Sequence, residues 1–302
     1  MPITEVEGHR IRLTHLDRVL WPATGTTKAE LLAYYAAVAD LLLPHTSGRL
    51  ASFVRTPDGV DGQRFFQKRP PAGTPEWVTT TARVRSSGEL MDQVEVNDLA
   101  TLVWSGNLSC VEIHTPQWRA ADPDTADRLV LDLDPGPGCT VADCCRVALD
   151  LRERLAADGI AAWAKTSGAK GLHLLAALRG ATPDRARAYA RTVARELEAA
   201  DPRRVVSRMA KADRAGRVFI DWSQNSASKT TAVPYTVRAR DRPTVSAPLT
   251  WDEVAEAVAE ASAPDRLALT IGDMPDRLAE VGDALAALLD EGEGGGAGEL
   301  PG

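Results

Sequence analysis

Asp132 and Asp134 stand two residues apart in D-L-D-P, at the end of an apolar run at 129–133. On a strand, residues i and i+2 share a face. Two carboxylates on one face repel, and burial raises that cost. A divalent cation relieves the repulsion, and hard oxygen donors suit Mg2+ or Mn2+. Asp221 closes a second apolar run, R-V-F-I-D at 217–221. Three carboxylates on neighbouring strands are the protein half of a two-metal phosphoryl-transfer site. A lone D-x-D before P-G-P-G reads more simply as a strand ending in an Asx turn. The third aspartate tips the reading towards metal chemistry.

K-T-S-G-A-K-G-L-H at 165–173 carries Ser167, two glycines and Lys170 between two predicted strands. Backbone N–H groups and one point charge in such a loop can wrap an anion. It is not a Walker A loop, because the G-x-x-x-x-G-K-[ST] spacing is missing and no helix follows. Beside this loop His173 reads as a phosphate contact. The stretch 221–240 adds Gln224, Asn225, Lys229, Arg238 and Arg240. Arginine forks match phosphate oxygens, and of these Arg238 is the strongest phosphate candidate, because its predicted strand follows directly from the acidic site. His15, Arg18 and Lys28 form an N-terminal trio that alone reads as ordinary surface. Adjacent Phe65 and Phe66 face opposite sides of a strand. One can be core while the other offers a base a stacking surface; by themselves both read as core.

The elements that must position these groups follow from periodicity. Apolar residues recur at helical spacing over 28–43, with Thr27 as cap and Pro44 as stop. Short strands are predicted near 50–55, 64–68, 91–96 and 110–114, and a helix within 97–107. The middle of the chain reads strand 129–133, helix 140–158, strand 160–164, strand 172–178, helix 182–200 and strand 217–221. That is the β-α-β-β-α-β split unit, ferredoxin-like, in which the first strand is central and the third and fourth flank it. Residues 231–238 read as extended. A T-x-x-E capping box at Thr250 opens a helix to about Ser262, and another spans 276–289. The segment 291–302, EGEGGGAGELPG, reads as a disordered acidic tail.

The chain has 302 residues, a formal charge of −7 and four cysteines. It has no 18-residue apolar window and no N-terminal apolar segment, so neither a membrane span nor a secretory signal is expected. The cysteines lack C-x-x-C spacing and read as reduced thiols, not zinc ligands. The negative balance is local: residues 251–302 carry −11, which leaves +4 on residues 1–250. The basic excess concentrates at 49–85 and 203–242, both interleaved with aromatics. Such segments are compatible with a polyanion partner.

Taken together the motifs resemble the polymerase domain of bacterial ATP-dependent DNA ligase D, in the archaeo-eukaryotic primase superfamily. The resemblance runs from about His9 to Val254. It rests on L-D-R-V-L-W-P with T-K, F-F-Q-K, E-I-H-T-P-Q-W, D-R-L-V-L-D-L-D-P-G-P-G, K-T-S-G-A-K-G-L-H, F-I-D-W-S-Q-N, Y-T-V-R-A-R and P-L-T-W-D-E. It implies an α/β primase-type fold and a template-directed nucleotidyltransferase that fills short gaps at DNA ends, prefers Mn2+ and favours ribonucleotides. Asp132, Asp134 and Asp221 would hold two metal ions. Ser167, Lys170, His173, Gln224 and Arg238 would hold the nucleoside triphosphate. His15, Arg18 and Lys28 would hold the 5′-phosphate of the downstream strand, and Phe65 and Phe66 would pack against bases. The family's usual asparagine and lysine are replaced by His15 and Arg18, both still able to donate to phosphate.

The expected organisation is one polymerase domain over 1–290. It comprises a 5′-phosphate-binding part at 9–127, a catalytic core at 128–250 and C-terminal helices at 251–290, with no ligase or nuclease module. Expected partners are 5′-phosphorylated gapped DNA, Ku and a separately encoded ligase, in the bacterial cytoplasm at the nucleoid. Two other readings compete. A non-catalytic DNA-end-binding module would depend on Arg18 and Lys28 and be indifferent to the aspartates. A D-x-D nucleotide-sugar transferase would use the same metal and need no DNA.

Overall fold

The computed structural model describes residues 2–84, 88–260, 267–290 and 297–301. The chain opens with two short hairpins, β1 (Ile3–Val6) with β2 (His9–Arg12), and β3 (Val19–Trp21) with β4 (Thr26–Thr27). Helices α1 (Lys28–Ala37) and α2 (Ala39–Thr46) follow, then strands β5 (Ser52–Arg55), β6 (Phe65–Gln67), β7 (Thr80–Val84) and β8 (Leu90–Val94). Next come α3 (Leu99–Asn107), β9 (Cys110–Thr115), β10 (Trp118–Arg119), β11 (Asp122–Pro135), α4 (Val141–Ala157), β12 (Trp163–Thr166) and β13 (Leu172–Ala181). Then follow α5 (Pro183–Ala200), β14 (Val205–Val206), β15 (Val218–Asp221), β16 (Thr231–Ala232), β17 (Pro248–Leu249), α6 (Trp251–Ala259), α7 (Met274–Val281) and β18 (Gly298–Glu299). No helix among the described residues is long and apolar enough to cross a membrane.

The chain divides into two compact units. The first is Met1–Thr115 with Thr231–Val245 and Thr270–Gly272; the second is Pro116–Thr230 with Ser246–Leu269 and Asp273–Gly302. The division differs from the expected segments at three places: 116–127 belongs to the second unit, and 231–245 and 270–272 belong to the first. Residues 231–245, expected with the catalytic core, belong to the first unit, because β16 pairs with β9 and Val233 N–H donates to Ile113 O.

The first unit carries an antiparallel sheet in the order β16-β9-β5-β6. The expected helix over 28–43 is two helices. Thr27 does cap α1, in a reciprocal box with Glu30. The helix breaks at Val38, and α2 then runs past Pro44 to Thr46. Proline removes a backbone donor; here Ser47 N–H and the Thr46 and Ser47 hydroxyls all donate to Leu43 O and hold the turn beyond it.

The second unit is built on the sheet order β14-β15-β11-β13-β12-β17. The first core strand, β11, is flanked by β13 and β15, both antiparallel to it, as the split β-α-β-β-α-β reading requires. Leu129, Leu131 and Leu133 of β11 join residues of α4 and α5 in one buried cluster, while Val130 belongs to a second cluster with Leu175, Leu285 and Leu288. Each fully buried leucine contributes about 1.5–3 kcal/mol. A one-residue slip of β11 would turn all three onto the polar face and carry Asp132 and Asp134 into the helix-side cluster. The apolar alternation therefore locks the register on which the polar face depends.

Two C-terminal expectations need correction. The helix over 276–289 ends at Val281, because Gly282 takes φ 70 and a short 3-10 turn, Ala286–Leu288, follows. The tail is not disordered throughout: β18 pairs in parallel with β13, Leu300 is buried, and Arg185 donates to the Leu300 and Pro301 carbonyls. Residues 291–296 of that tail, and the expected helix end at Ser262, lie outside the described residues.

Candidate active site

In the second unit the ladder pairs Lys165 with His173, His173 with Asp132, and Asp132 with Asp221. Directly opposed residues on neighbouring strands share a face. Four polar side chains therefore form one row across β12, β13, β11 and β15. Lys165 is fully buried, and the Asp132 side chain at the other side of His173 is 14 % exposed.

Each link in the row has a definite partner. Lys165 Nζ donates to Ser246 Oγ at 2.5 Å and lies 2.9 Å from His173 Nδ1. Ser246 Oγ directs its own proton to Thr166 O at 3.0 Å, so it is an acceptor towards Lys165. An ammonium has donors only. When Lys165 carries its charge, His173 Nδ1 accepts and the ring proton sits on Nε2, 3.3 Å from Asp132 Oδ1. Gln224 Nε2 donates to both Asp132 Oδ2 at 3.3 Å and Asp221 Oδ2 at 3.0 Å. Asp221 Oδ1 also accepts from Ser223 N at 2.9 Å and Ser223 Oγ at 2.6 Å.

Asp134 lies on the same face as Asp132, but its carboxylate is half-exposed and 3.9 Å from Arg214 Nη1. Among the described residues no group of three or more His, Cys, Asp or Glu converges as a ready-made metal cage. The donor set nonetheless fits a hard cation. Two carboxylates opposed across one ladder share a single neutral amide, Gln224, and a third carboxylate stands one strand repeat away.

The 167–171 loop is curled around its own serine. Ala169 and Gly171 N–H both donate to Ser167 Oγ at 3.2 Å, and Ser167 N–H donates to Gly171 O at 2.9 Å. Lys170 points outward and is exposed. Gly171 has no room for a side chain, since a Cβ there would sit 1.9 Å from Leu133 O. This close approach brings the loop against the end of β11. A cleft of about 620 Å³ opens there between the Pro135–Thr140 turn and the loop, with Lys170 and Thr166 in its wall.

The first unit holds the other expected residues. Lys28 is buried and donates to Asn107 O at 2.7 Å and Thr14 Oγ1 at 3.1 Å. Burial, then the charge of Arg18, lowers its ammonium to about 8. Arg18 donates to Pro57 O and lies 3.6 Å from Asp58. His15 stands three residues earlier with φ 49, a left-handed conformation in which histidine is enriched among non-glycine residues.

Phe65 and Phe66 are both exposed, at 41 % and 56 %, which corrects the reading of either as core. The reason is position: β6 is an edge strand of its sheet. Phe66 meets His114 edge-on, with ring centroids 5.9 Å apart. Arg238 belongs to this first unit, where its Nε lies 3.1 Å from Glu112 Oε2. Glu112 also meets His114 Nε2 at 2.7 Å and accepts from Ala239 N at 2.8 Å. Burial alone would raise the Glu112 carboxyl; the His114 hydrogen bond, the Arg238 and His114 charges and the Ala239 N–H outweigh it and hold it at about 2.

Residue type alone assigns no role to Lys165, Glu112 or His114. The E-x-H spacing on a predicted strand carries a usable signal, because i and i+2 share a face. Lys165 carries none, since its burial depends on which strands flank β12.

A family model described as the LigD primase-polymerase domain matches residues 27–285. The chain belongs to this family. Its members are primase-like polymerase domains of the nucleotidyltransferase type. The multifunctional non-homologous end joining protein LigD of Mycolicibacterium smegmatis is 43 % identical over 282 residues, covering 92 % of this chain and 36 % of that protein. The bifunctional non-homologous end joining protein LigD of Bacillus subtilis is 28 % identical over 275 residues, covering 90 % of this chain and 43 % of that protein. The chain thus spans well under half the length of these curated relatives. Among solved structures, the polymerase domain of Mycobacterium tuberculosis ligase D in complex with DNA superposes with a TM-score of 0.86 at 39 % identity, covering 93 % of this chain and 99 % of that one. The α/β primase-type fold expected from the motifs is the fold of the chain.

Proposed function

We propose that the chain is a template-directed polymerase that adds nucleotides at a broken DNA end or short gap in bacterial end joining. The observation that carries the reading is the row Lys165–His173–Asp132–Asp221, which sets two carboxylates side by side with a hydrogen-bonded imidazole. Asp132, Asp134 and Asp221 would hold two divalent cations, Mn2+ in preference to Mg2+. Such cations, when bound, lower the pKa of an attacking hydroxyl and neutralise the leaving group.

The remaining work falls to the protein's own groups. His173, held as its Nε2–H tautomer, orients Asp132 and presents a donor at the edge of the site. Gln224, whose amide bridges Asp132 and Asp221, would be a donor to the triphosphate. Lys170, exposed at the mouth of the cleft, supplies a charge for phosphate oxygens. Arg238 is a further candidate for binding triphosphate oxygens through its guanidinium. In the first unit, Lys28 and Arg18, with His15, take the 5′-phosphate of the downstream strand, and the exposed Phe65 and Phe66 stack on template bases. Ribonucleotides are favoured, and Ku and a DNA ligase activity act with it on nucleoid DNA in the cytoplasm.

The test is primer extension on a gapped duplex, with and without the 5′-phosphate, supplied with ribo- or deoxyribonucleotides and with Mn2+ or Mg2+. Incorporation that vanishes in Asp132→Ala and Asp221→Ala and weakens without the 5′-phosphate is the expected result. Incorporation indifferent to both aspartates, or none with either metal, overturns the reading.

A further inference from the structure

Helix α5 carries Arg187, Arg191 and Arg195 at i, i+4 and i+8, hence on one face. All three are exposed, and with Trp222 they line a groove of about 330 Å³. The Arg191 guanidinium lies over the Trp222 ring, 5.1 Å from its centroid. Trp222 is fixed at its ring edge, its Nε1 donating to Ser207 O at 3.0 Å. Arg187 meets exposed Asp184 at 3.1 Å, whereas Arg191 and Arg195 have no acidic partner among the described residues. In a chain of net charge −7, three arginines on one stripe are not explained by overall basicity.

We propose that this groove binds the sugar–phosphate backbone of a single-stranded nucleic acid, with one base against the Trp222–Arg191 pair. The spacing fits. Four residues of helix rise about 6 Å, close to the separation of successive phosphates along an extended strand. An arginine track beside an aromatic ring is the physical recipe for sequence-tolerant single-strand binding, with phosphates taken by the cations and a base by the ring. Trp222 follows Asp221 directly, and the turn Trp222–Asn225 sends Trp222 towards α5 and Gln224 to the carboxylates. Helix α5 packs on the face of the sheet opposite the carboxylates, so the groove would serve as a second hold on DNA, set apart from the reacting centre. The nature of the polyanion rests on the function proposed above; the groove's own test reads binding without turnover.

The experiment is fluorescence anisotropy of a labelled oligo-dT with the full chain between 50 and 200 mM salt. The variant is Arg187→Gln/Arg191→Gln/Arg195→Gln, which keeps good helix formers on a solvated face. Each phosphate contact to a single strand contributes about 0.7 to the log–log salt slope. The triple variant is expected to bind at least tenfold more weakly at the lowest salt, with a slope shallower by about 2. If it unfolds, Arg195→Gln alone serves, with an expected change of about 0.7. Unchanged affinity and slope overturn the proposal. Unchanged oligo-dT binding with lost binding of a poly-glutamate peptide overturns it in favour of an acidic protein segment. Loss of nucleotide incorporation with intact, arginine-dependent oligo-dT binding removes the polymerase reading and leaves the groove standing.

Discussion

Lys165 Nζ lies 2.9 Å from His173 Nδ1, inside the sheet, and so decides which nitrogen of His173 carries the proton that faces Asp132. The lysine is fully buried, paired on one side with His173 and on the other with Pro248 of β17. It acts on the site through the imidazole, which makes it a positioning residue.

Replacing Lys165 with Met preserves length and removes the donor. His173 Nδ1 then has no ammonium to accept from, and the ring is no longer held as the Nε2–H tautomer. Partners that orient metal-site ligands are worth about 10–100-fold in activity or metal affinity. Lys165→Met is expected to lower incorporation by about that factor with the fold intact by circular dichroism. Nitrogen-15 NMR of His173 is the direct check: the tautomer signature should shift in the variant.

Lys28 gives a pH prediction. Its folded-state value of about 8 lies below the ordinary lysine range, because burial and Arg18 disfavour the charge. The ammonium is therefore present at pH 7 and lost as pH rises through about 8, well before an exposed lysine near 10.4 would lose its proton. The affinity advantage of a 5′-phosphorylated over a hydroxyl end is expected to shrink between about pH 7 and 9. A constant ratio across that range would remove Lys28 from the phosphate pocket. For stability the sign is opposite: the unfolded chain holds this proton more tightly, so the burial penalty fades between about pH 8 and 10.

Much of the second unit was legible because its signals are local. Leu129, Leu131 and Leu133 alternate with Val130 and Asp132, so one strand displays both the core face and the carboxylate face. Topology rules then placed β13 and β15 beside β11 and brought Asp221 opposite Asp132. What was not legible depends on non-local contacts. Phe65 and Phe66 read as core until β6 proved to be an edge. Arg238 follows the acidic motif in sequence, yet its backbone pairs with Thr244 and its side chain with Glu112, in the first unit. The acidic segment at the C-terminus reads as disordered by composition, but Leu300 is an apolar anchor that composition averages away.

Glu112 makes an acid-stability prediction. Its carboxyl is held at about 2, against about 4.3 for an unperturbed glutamate. The folded value is the lower one, so the contribution is present above about pH 4 and disappears as pH falls towards 2. A glutamate held that far below its ordinary value contributes about 3 kcal/mol at neutral pH. Glu112→Gln should lower thermal stability at pH 7 and flatten the acid limb of the stability curve between about pH 4 and 2. A variant as stable as the parent at pH 7 would show that the Arg238 and His114 contacts contribute no net stability.

The closing turn before β13 tests the approach between the anion loop and β11. At Gly171 a Cβ would lie 1.9 Å from Leu133 O, and the carbonyl belongs to the central strand, which cannot retreat without breaking its ladder. Gly171→Ala is expected to cost about 3 kcal/mol, the upper range for overpacking, and to push residues 167–170 away from the end of β11. Incorporation should fall with a raised KM for nucleotide, because Lys170 moves with the loop.

Leu300 offers the last test, at the opposite end of the same strand. Its side chain is 6 % exposed within the main cluster of the second unit, and β18 lies alongside Leu178 and Arg179 of β13. Arg185, at the start of α5, donates to two carbonyls of this segment and ties it to the helix that carries the arginine stripe. Large-to-small core substitutions of leucine cost about 2–5 kcal/mol. Leu300→Ala should fall near the lower figure, because a terminal segment can relax, and should lower the melting temperature by several degrees. A variant with unchanged melting temperature would mean that the segment is not held in solution, and the compositional reading of a disordered tail would stand for it after all.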